Sequence, residues 1–292
     1  MNQNTMKSIP LVLLLACILI SVFSCAQNDD HLVKMGTLPK KIDESSGLAV
    51  ASESSLWTHN DSGAKAEIYE IGLQGELIRT LELLGVNPID MEDMSQDESG
   101  NIYIADTGNN DKDRLKLMVY KFNVADIDNN TVEPEILEFV LPDRGLESEC
   151  HFDFEAMTWS KDKLYLFTKD RCDKKDNKLI LYSIPDQKGK YTAEKLGDFF
   201  WDDPEKNIKI TAADISLDGK KLVLLSKDGI HFFLGYRKNE FFNGAYRFLP
   251  IKKSMKEGVV HMTDCDLYIS EEARKDEKAR IWKVDLCSLQ FD

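Results

Sequence analysis

The chain has 292 residues, of which 42% are hydrophobic and 30% charged, and its 51 acidic against 37 basic side chains give a net charge of −14. A surface this acidic repels nucleic-acid phosphate and anionic headgroups, whereas it accommodates cations, sugars and basic partners. No nucleic-acid partner is expected.

Lys7 precedes an apolar run from Ile9 to Phe23 that is too short to span a bilayer comfortably, and Ser24 and Cys25 follow it. Residues 1–24 read as a signal peptide, 25–31 as a tether and 32–292 as one domain. The stretch "SVFSCAQNDD" resembles a bacterial lipoprotein signal, with Val22, Phe23 and Ser24 before the lipid-bearing Cys25. The resemblance implies a lipid anchor at Cys25 and an outer-membrane place in the cell envelope. Gln27, Asn28, Asp29 and Asp30 resemble the acidic tags of surface-exported lipoproteins, which implies exposure at the cell surface.

Beyond the tether a hairpin recurs. Its copies read "ESSGLAVASESSLWTHNDSG" from Glu44, "DMEDMSQDESGNIYIADTGNN" from Asp90, "DFEAMTWSKDKLYLFTKDR" from Asp153, "TAADISLDGKKLVLLSKDG" from Thr211 and "MKEGVVHMTDCDLYISEEAR" from Met255. With Ser46, Glu92, Glu155, Ala213 and Glu257 as equivalents, the repeat is about 45 to 60 residues, the period of propeller blades. Two further strand-like runs follow each hairpin, such as "LMVYKFN" and "EILEFVL". The last unit stops after "RIWKVDL", and the unclaimed "HLVKMGTL" from His31 can supply its fourth strand. This closes the ring and covers its edges. The expectation is an all-β propeller of five four-stranded blades, a monomer, with six blades open if residues 123–152 hide a further unit.

In a propeller the start of each inner strand lies beside the end of its antiparallel neighbour, so residues at both places collect on one face. Strand starts put Glu44, Asp90, Glu92, Asp153, Glu155 and Glu257 there. Second-strand ends add His59, Asn60, Asp61, Asp106, Asn110, Lys169, Arg171, Lys227, Glu271 and Arg274, among others. Cys150 and Cys172 flank one pair of adjacent strands, and Cys265 and Cys287 another, so these are the expected disulfides.

Carboxylates crowded at one channel mouth need positive charge among them. Ca²⁺ or Mg²⁺ held by carboxylate and amide oxygens is one solution, and ion pairs to Lys169, Arg171, Lys227 and Arg274 are another. "DTGNNDKDRLKL" and "DIDNNTVEPEIL" lack the glycine and closing glutamate of a linear calcium loop and read as solvated loops. There is no phosphate loop, nucleophile elbow or zinc-spaced cluster. His59 or Asp106 could move protons at the mouth.

The phrases "WTHNDSG", "DMEDMSQDESGNIYIADTGNN", "DFEAMT" with "LYLFTKD", and "ITAADISLDGKKLVLLS" resemble a group of exported bacterial propeller lipoproteins, over most of residues 43 to 285. More distantly they are similar to propellers of the NHL, SdiA-regulated and gluconolactonase types. The gluconolactonase likeness implies a channel cation held by an acid opening an inner strand, here Glu44 or Glu92, with Asn60, Asn110 or Asp106 completing the set. Ala212 and Ala213 in the fourth unit depart from that pattern. Two functions follow: an anchored module presenting its acidic face to a glycan, peptide or envelope protein, or a cation-dependent hydrolase of lactones or esters.

Overall fold

The computed structural model describes residues 31–61, 63, 65–143, 150, 152–172, 177–201 and 208–289. The signal peptide, Cys25 and most of the tether lie outside the described residues.

Five antiparallel sheets are arranged as blades. The first comprises β2 (Ser45–Ser52), β3 (Ser55–Asn60), β4 (Glu67–Gly72) and β5 (Leu77–Leu83). The second has β6 (Met91–Gln96), β7 (Asn101–Asp106), β8 (Leu117–Asn123) and β10 (Glu135–Val140). The third is β11 (Asp153–Ser160), β12 (Lys163–Lys169), β13 (Lys178–Pro185) and β15 (Glu194–Phe200). The fourth is β16 (Ile210–Ile215), β17 (Lys221–Ser226), β18 (Gly229–Leu234) and β19 (Ala245–Pro250). In the fifth, β20 (Lys256–His261), β21 (Asp266–Glu271) and β22 (Arg280–Asp285) are completed by the N-terminal β1 (Val33–Thr37), antiparallel to β22. The five-bladed, strand-closed ring expected from the repeats is therefore present. The connection over 123–152 holds no sixth blade in its described part.

Two short strands were not foreseen. β9 (Thr131–Val132) and β14 (Gly189–Thr192) each add in parallel to the outer edge of the preceding blade, covering β5 and β10 respectively. Edges that would otherwise present unpaired backbone groups are thereby occupied.

The burial pattern follows from the layered ring. Inner and middle strands are covered on both faces and read as near-continuous apolar or small runs, as in Leu222–Leu225 of β17. The outer β15 alternates between half-buried and exposed residues along its length, the period-two signature of a sheet with one wet face. Each apolar cluster joins one blade to the next. Phe139 of the second blade meets Phe154 of the third edge-on at 6.4 Å between centroids, and Leu48 and Leu56 of the first pack with Val260 and Ile281 of the fifth.

Both expected disulfides are formed, Cys150–Cys172 and Cys265–Cys287, each with a Cα–Cα distance of 5.0 Å and a sequence separation of 22. Each ties the ends of adjacent strands. Closing a loop of that length restricts the unfolded chain by about 3 kcal/mol in the chain-entropy account. Replacing Cys265 and Cys287 by serine should lower stability by about 2 to 3 kcal/mol in denaturant unfolding, with the native fold retained.

Every inner strand breaks register at the same height. The shifts fall between Ser46 and Ala49, Met91 and Asp93, Phe154 and Ala156, Ile210 and Ala212, and Lys256 and Gly258. A bulge of this kind re-aims the extra side chain. It singles out Glu92, Glu155, Thr211 and Glu257 in four strands, whereas in β2 Ser46 pairs with His59 just before a wider shift. The fourth blade is thus represented by Thr211 and not by Ala213, because the bulge follows Ile210 and the hairpin alone cannot reveal it.

Candidate functional site

One residue further along each inner strand stand Gly47, Asp93, Ala156, Ala212 and Gly258, a ring of small residues with one carboxylate. Asp93 is fully buried; its Oδ1 accepts from the N–H of Met94 at 2.8 Å, and its Oδ2 accepts from those of Met157 at 2.8 Å and Ala213 at 3.0 Å. One side chain therefore joins the second, third and fourth blades across the channel. The small neighbours make this possible. Gly47 has φ +60°, and a Cβ on it would lie 2.6 Å from the Met94 nitrogen. Burial pushes the Asp93 carboxyl well above its usual range, against the pull of the three backbone donors.

Above this waist is the acidic mouth, which divides into two unlike halves. In one half Lys169 pairs with Glu155, and Arg171 pairs with both Asp153 and Glu155. Burial alone would raise Glu155, but Lys169 and Arg171 outweigh it and hold its carboxyl below the ordinary value. Asp153 is pushed up to about 6 by burial and by Glu155, with Arg171 opposing. Lys227 lies 3.2 Å from Glu257, whose carboxyl burial raises to about 7 against Lys169 and Lys227. Internal cations thus serve this side.

The other half contains Asp61, Asp90 and Glu92, each offering an oxygen within 4.8 Å of the others. Asp90 and Glu92 are only 6% and 4% exposed. Asp90 Oδ1 is buried without a hydrogen-bond partner, and Oδ2 is met by the Asn110 amide at 3.3 Å. Burial, then Asp61 and Asp153, raise Asp90 to about 7 against Arg114, while burial, Glu155 and Asp61 push Glu92 well above its usual range. Gly108 makes room for the pair, since a Cβ there would fall 2.2 Å from Glu92 Oε1 and 2.3 Å from Asp90 Oδ2. Glu155, Asp153 and Glu92 also form a close trio, but two of its three members already hold cationic partners.

The remaining expected residues are spread around this centre. Glu44 is exposed, and its carbonyl accepts from the Asp61 N–H at 3.0 Å. The Asn60 amide donates to the Lys41 carbonyl at 2.8 Å while its Oδ1 is buried without a partner. Asp106 is fully enclosed: it is 2.9 Å from Arg114 and accepts from Tyr120 at 2.8 Å and from the N–H groups of Ile89 and Asp90. His59 is buried beneath the mouth, and burial lowers its pKa to about 4 despite its hydrogen bond to the Asn60 carbonyl. Glu271 accepts from the Trp282 indole and pairs with Arg280 at 3.4 Å, on the side of β21 away from the trio. Asp93 and Gly108 were not singled out from sequence, whereas Glu272 was expected on this face from its place at a second-strand end. Glu272 is raised to about 8 by burial, Glu257 and Asp61.

No protein-family model matches the sequence, and neither does any curated protein sequence. Many solved structures match in shape. One is the β-propeller domain of Cps50 (Swd1) from Myceliophteria thermophila, at 10% identity and a TM-score of 0.44, covering 87% of this chain and 99% of that one. Such a likeness concerns the fold alone. The mouth must therefore be judged on its own chemistry, and its decisive property is asymmetry: on one side Lys169 and Arg171 pair directly with Glu155 and Asp153, and on the other Asp90 and Glu92 face one another, with Arg114 opposing the rise at Asp90.

Proposed function

We propose that the chain is a ligand-binding propeller, anchored to the outer membrane through Cys25 and monomeric, whose acidic mouth holds a divalent cation at Asp61, Asp90 and Glu92. The observation that carries the reading is the buried, unpartnered Asp90 Oδ1 beside Glu92, in a space that Gly108 keeps open. A spacing of up to 4.8 Å is about twice a calcium–oxygen distance of ~2.4 Å, so Ca²⁺ fits the trio better than the smaller Mg²⁺. Calcium takes roughly 6 to 8 oxygens, which leaves positions for the oxygens of a glycan, a peptide or an envelope protein. Binding is favoured over lactone or ester hydrolysis because neither candidate proton carrier is available at the mouth. Asp106 is saturated with donors, and His59 is enclosed in the wall.

Calorimetric titration of the full chain with CaCl2 and MgCl2, beside thermal unfolding with and without chelator, tests the cation. Calcium should bind more tightly than magnesium and raise the melting temperature by several degrees. Glu92→Gln should abolish that rise and, by removing one of the facing carboxylates, stabilise the chelated protein. Absence of any response to either ion overturns the cation site.

A further inference from the structure

The inner strands run from the acidic mouth to the opposite face of the ring, and Asp93 closes the channel between the two. A cavity of about 300 Å³ opens on that second face, lined by the strand ends Gln96, Trp159, Ile215 and His261 together with Asp214 and Leu217. At the small end of ligand pockets, it has room for one long side chain. The cavity's own charges are one-sided. Asp97, Glu98, Asp214 and Asp218 line it against Lys161 alone.

A second observation points to a ligand. His261 is 1% exposed; its Nδ1 is 2.8 Å from Asp214 Oδ2, which also accepts the His261 backbone N–H at 2.6 Å. With Nδ1–H donated to the carboxylate, the ring presents a lone pair at Nε2, and that buried nitrogen has no hydrogen-bond partner among the described residues. Both bonds go to Asp214 Oδ2, and the Asp214 side chain is 17% exposed at the cavity. The site offers two acceptors and no donor between them.

An aromatic wall stands beside these acceptors. The Trp159 indole is fixed by its Nε1–H, which donates to Asp186 Oδ2 at 2.8 Å, and Ile215 and Leu217 add apolar surface. The combination of net negative charge, adjacent acceptors and an aromatic flank matches a planar cation on an aliphatic stem. We propose that this face captures an arginine side chain of a partner protein, the guanidinium donating to Asp214 and His261 while its stem lies along the apolar wall. An ammonium is a point charge and cannot present a planar fork to both acceptors.

The full chain should be titrated with acetyl-Gly-Arg-Gly amide and with its citrulline and lysine counterparts. The arginine peptide should bind at least tenfold more tightly than either, and Asp214→Asn should weaken it at least tenfold. Because Asp214 also holds a backbone group, Leu217→Lys supplies a second variant on an exposed residue that cannot affect folding much. It should weaken the arginine peptide several-fold by adding a positive charge at the rim. Glu92→Gln, on the other face, should leave the affinity unchanged, so failure of the cation site and failure of this site are distinguishable. Equal affinity for citrulline or lysine, no arginine binding at millimolar peptide, or indifference to Leu217→Lys overturns the proposal.

Discussion

Asp93→Ala should be the most destabilising single substitution at the channel, lowering stability by about 4 to 5 kcal/mol. The carboxylate accepts three backbone N–H groups contributed by the second, third and fourth blades, and all three are buried. Each donor left unpaired away from water costs about 1 to 3 kcal/mol, and the cavity adds to that. For a chain of this size each kcal/mol moves the melting temperature by roughly 2 to 4 °C, so the loss should reach about 10 °C or more. Asp93→Asn keeps the shape but turns N–H donors toward backbone donors, and should recover only part of the stability. A scan in which Asp93→Ala melts within about 2 °C of wild type would show that the three bonds are not what holds the blades together.

This substitution also marks the limit of what the sequence reveals. Blade count, ring closure by "HLVKMGTL" and both disulfides were legible, because repeated alternation and strand-end cysteines are local patterns. The role of Asp93 was not. It sits within "DMEDM" among other acids, and only the bulge after Met91 decides that Glu92 turns to the mouth while Asp93 turns to the waist. The corresponding bulge after Ile210 moves the fourth-blade equivalent from Ala213 to Thr211.

The convergence of Asp61, Asp90 and Glu92 was foreseeable from strand polarity, whereas the division of the mouth was not. It depends on Lys169 and Arg171 both falling in the third blade, beside Asp153 and Glu155. Strand order put His59 and Asp106 at the mouth, but their enclosure arises from side-chain packing that no linear pattern records. The second-face cavity lies at the turn ends of the hairpins. There the residues had no motif to recommend them, and Asp214 and His261 meet only because the fourth and fifth blades are neighbours in the ring.

In the absence of divalent cations, the protein should be more stable at pH 5 than at pH 8.5. Burial and facing carboxylates raise Asp90 and Glu257 to about 7 and Glu272 to about 8, while the unfolded chain titrates them near their ordinary values. Between those limits the folded state binds more protons than the unfolded state, so stability falls as pH rises. The stabilisation is full below the unfolded carboxylate range and gone above about pH 8. Glu155 opposes the trend only toward acid, outside this window, whereas His59, lowered to about 4 by burial, opposes it up to about pH 6.5, so the fall is steepest above that pH. One pK unit corresponds to about 1.4 kcal/mol, and discounting for water at the mouth leaves roughly 4 kcal/mol across the window, or about 8 to 16 °C. Calcium should flatten the profile, because a cation beside Asp90 and Glu92 favours their charged forms and replaces protons as the neutralising partner. Thermal unfolding from pH 5 to 8.5, with chelator and with calcium, measures both effects. A chelated profile that rises toward pH 8.5 would mean that the mouth is already neutralised by its own lysines and arginines, and that no cation is needed there.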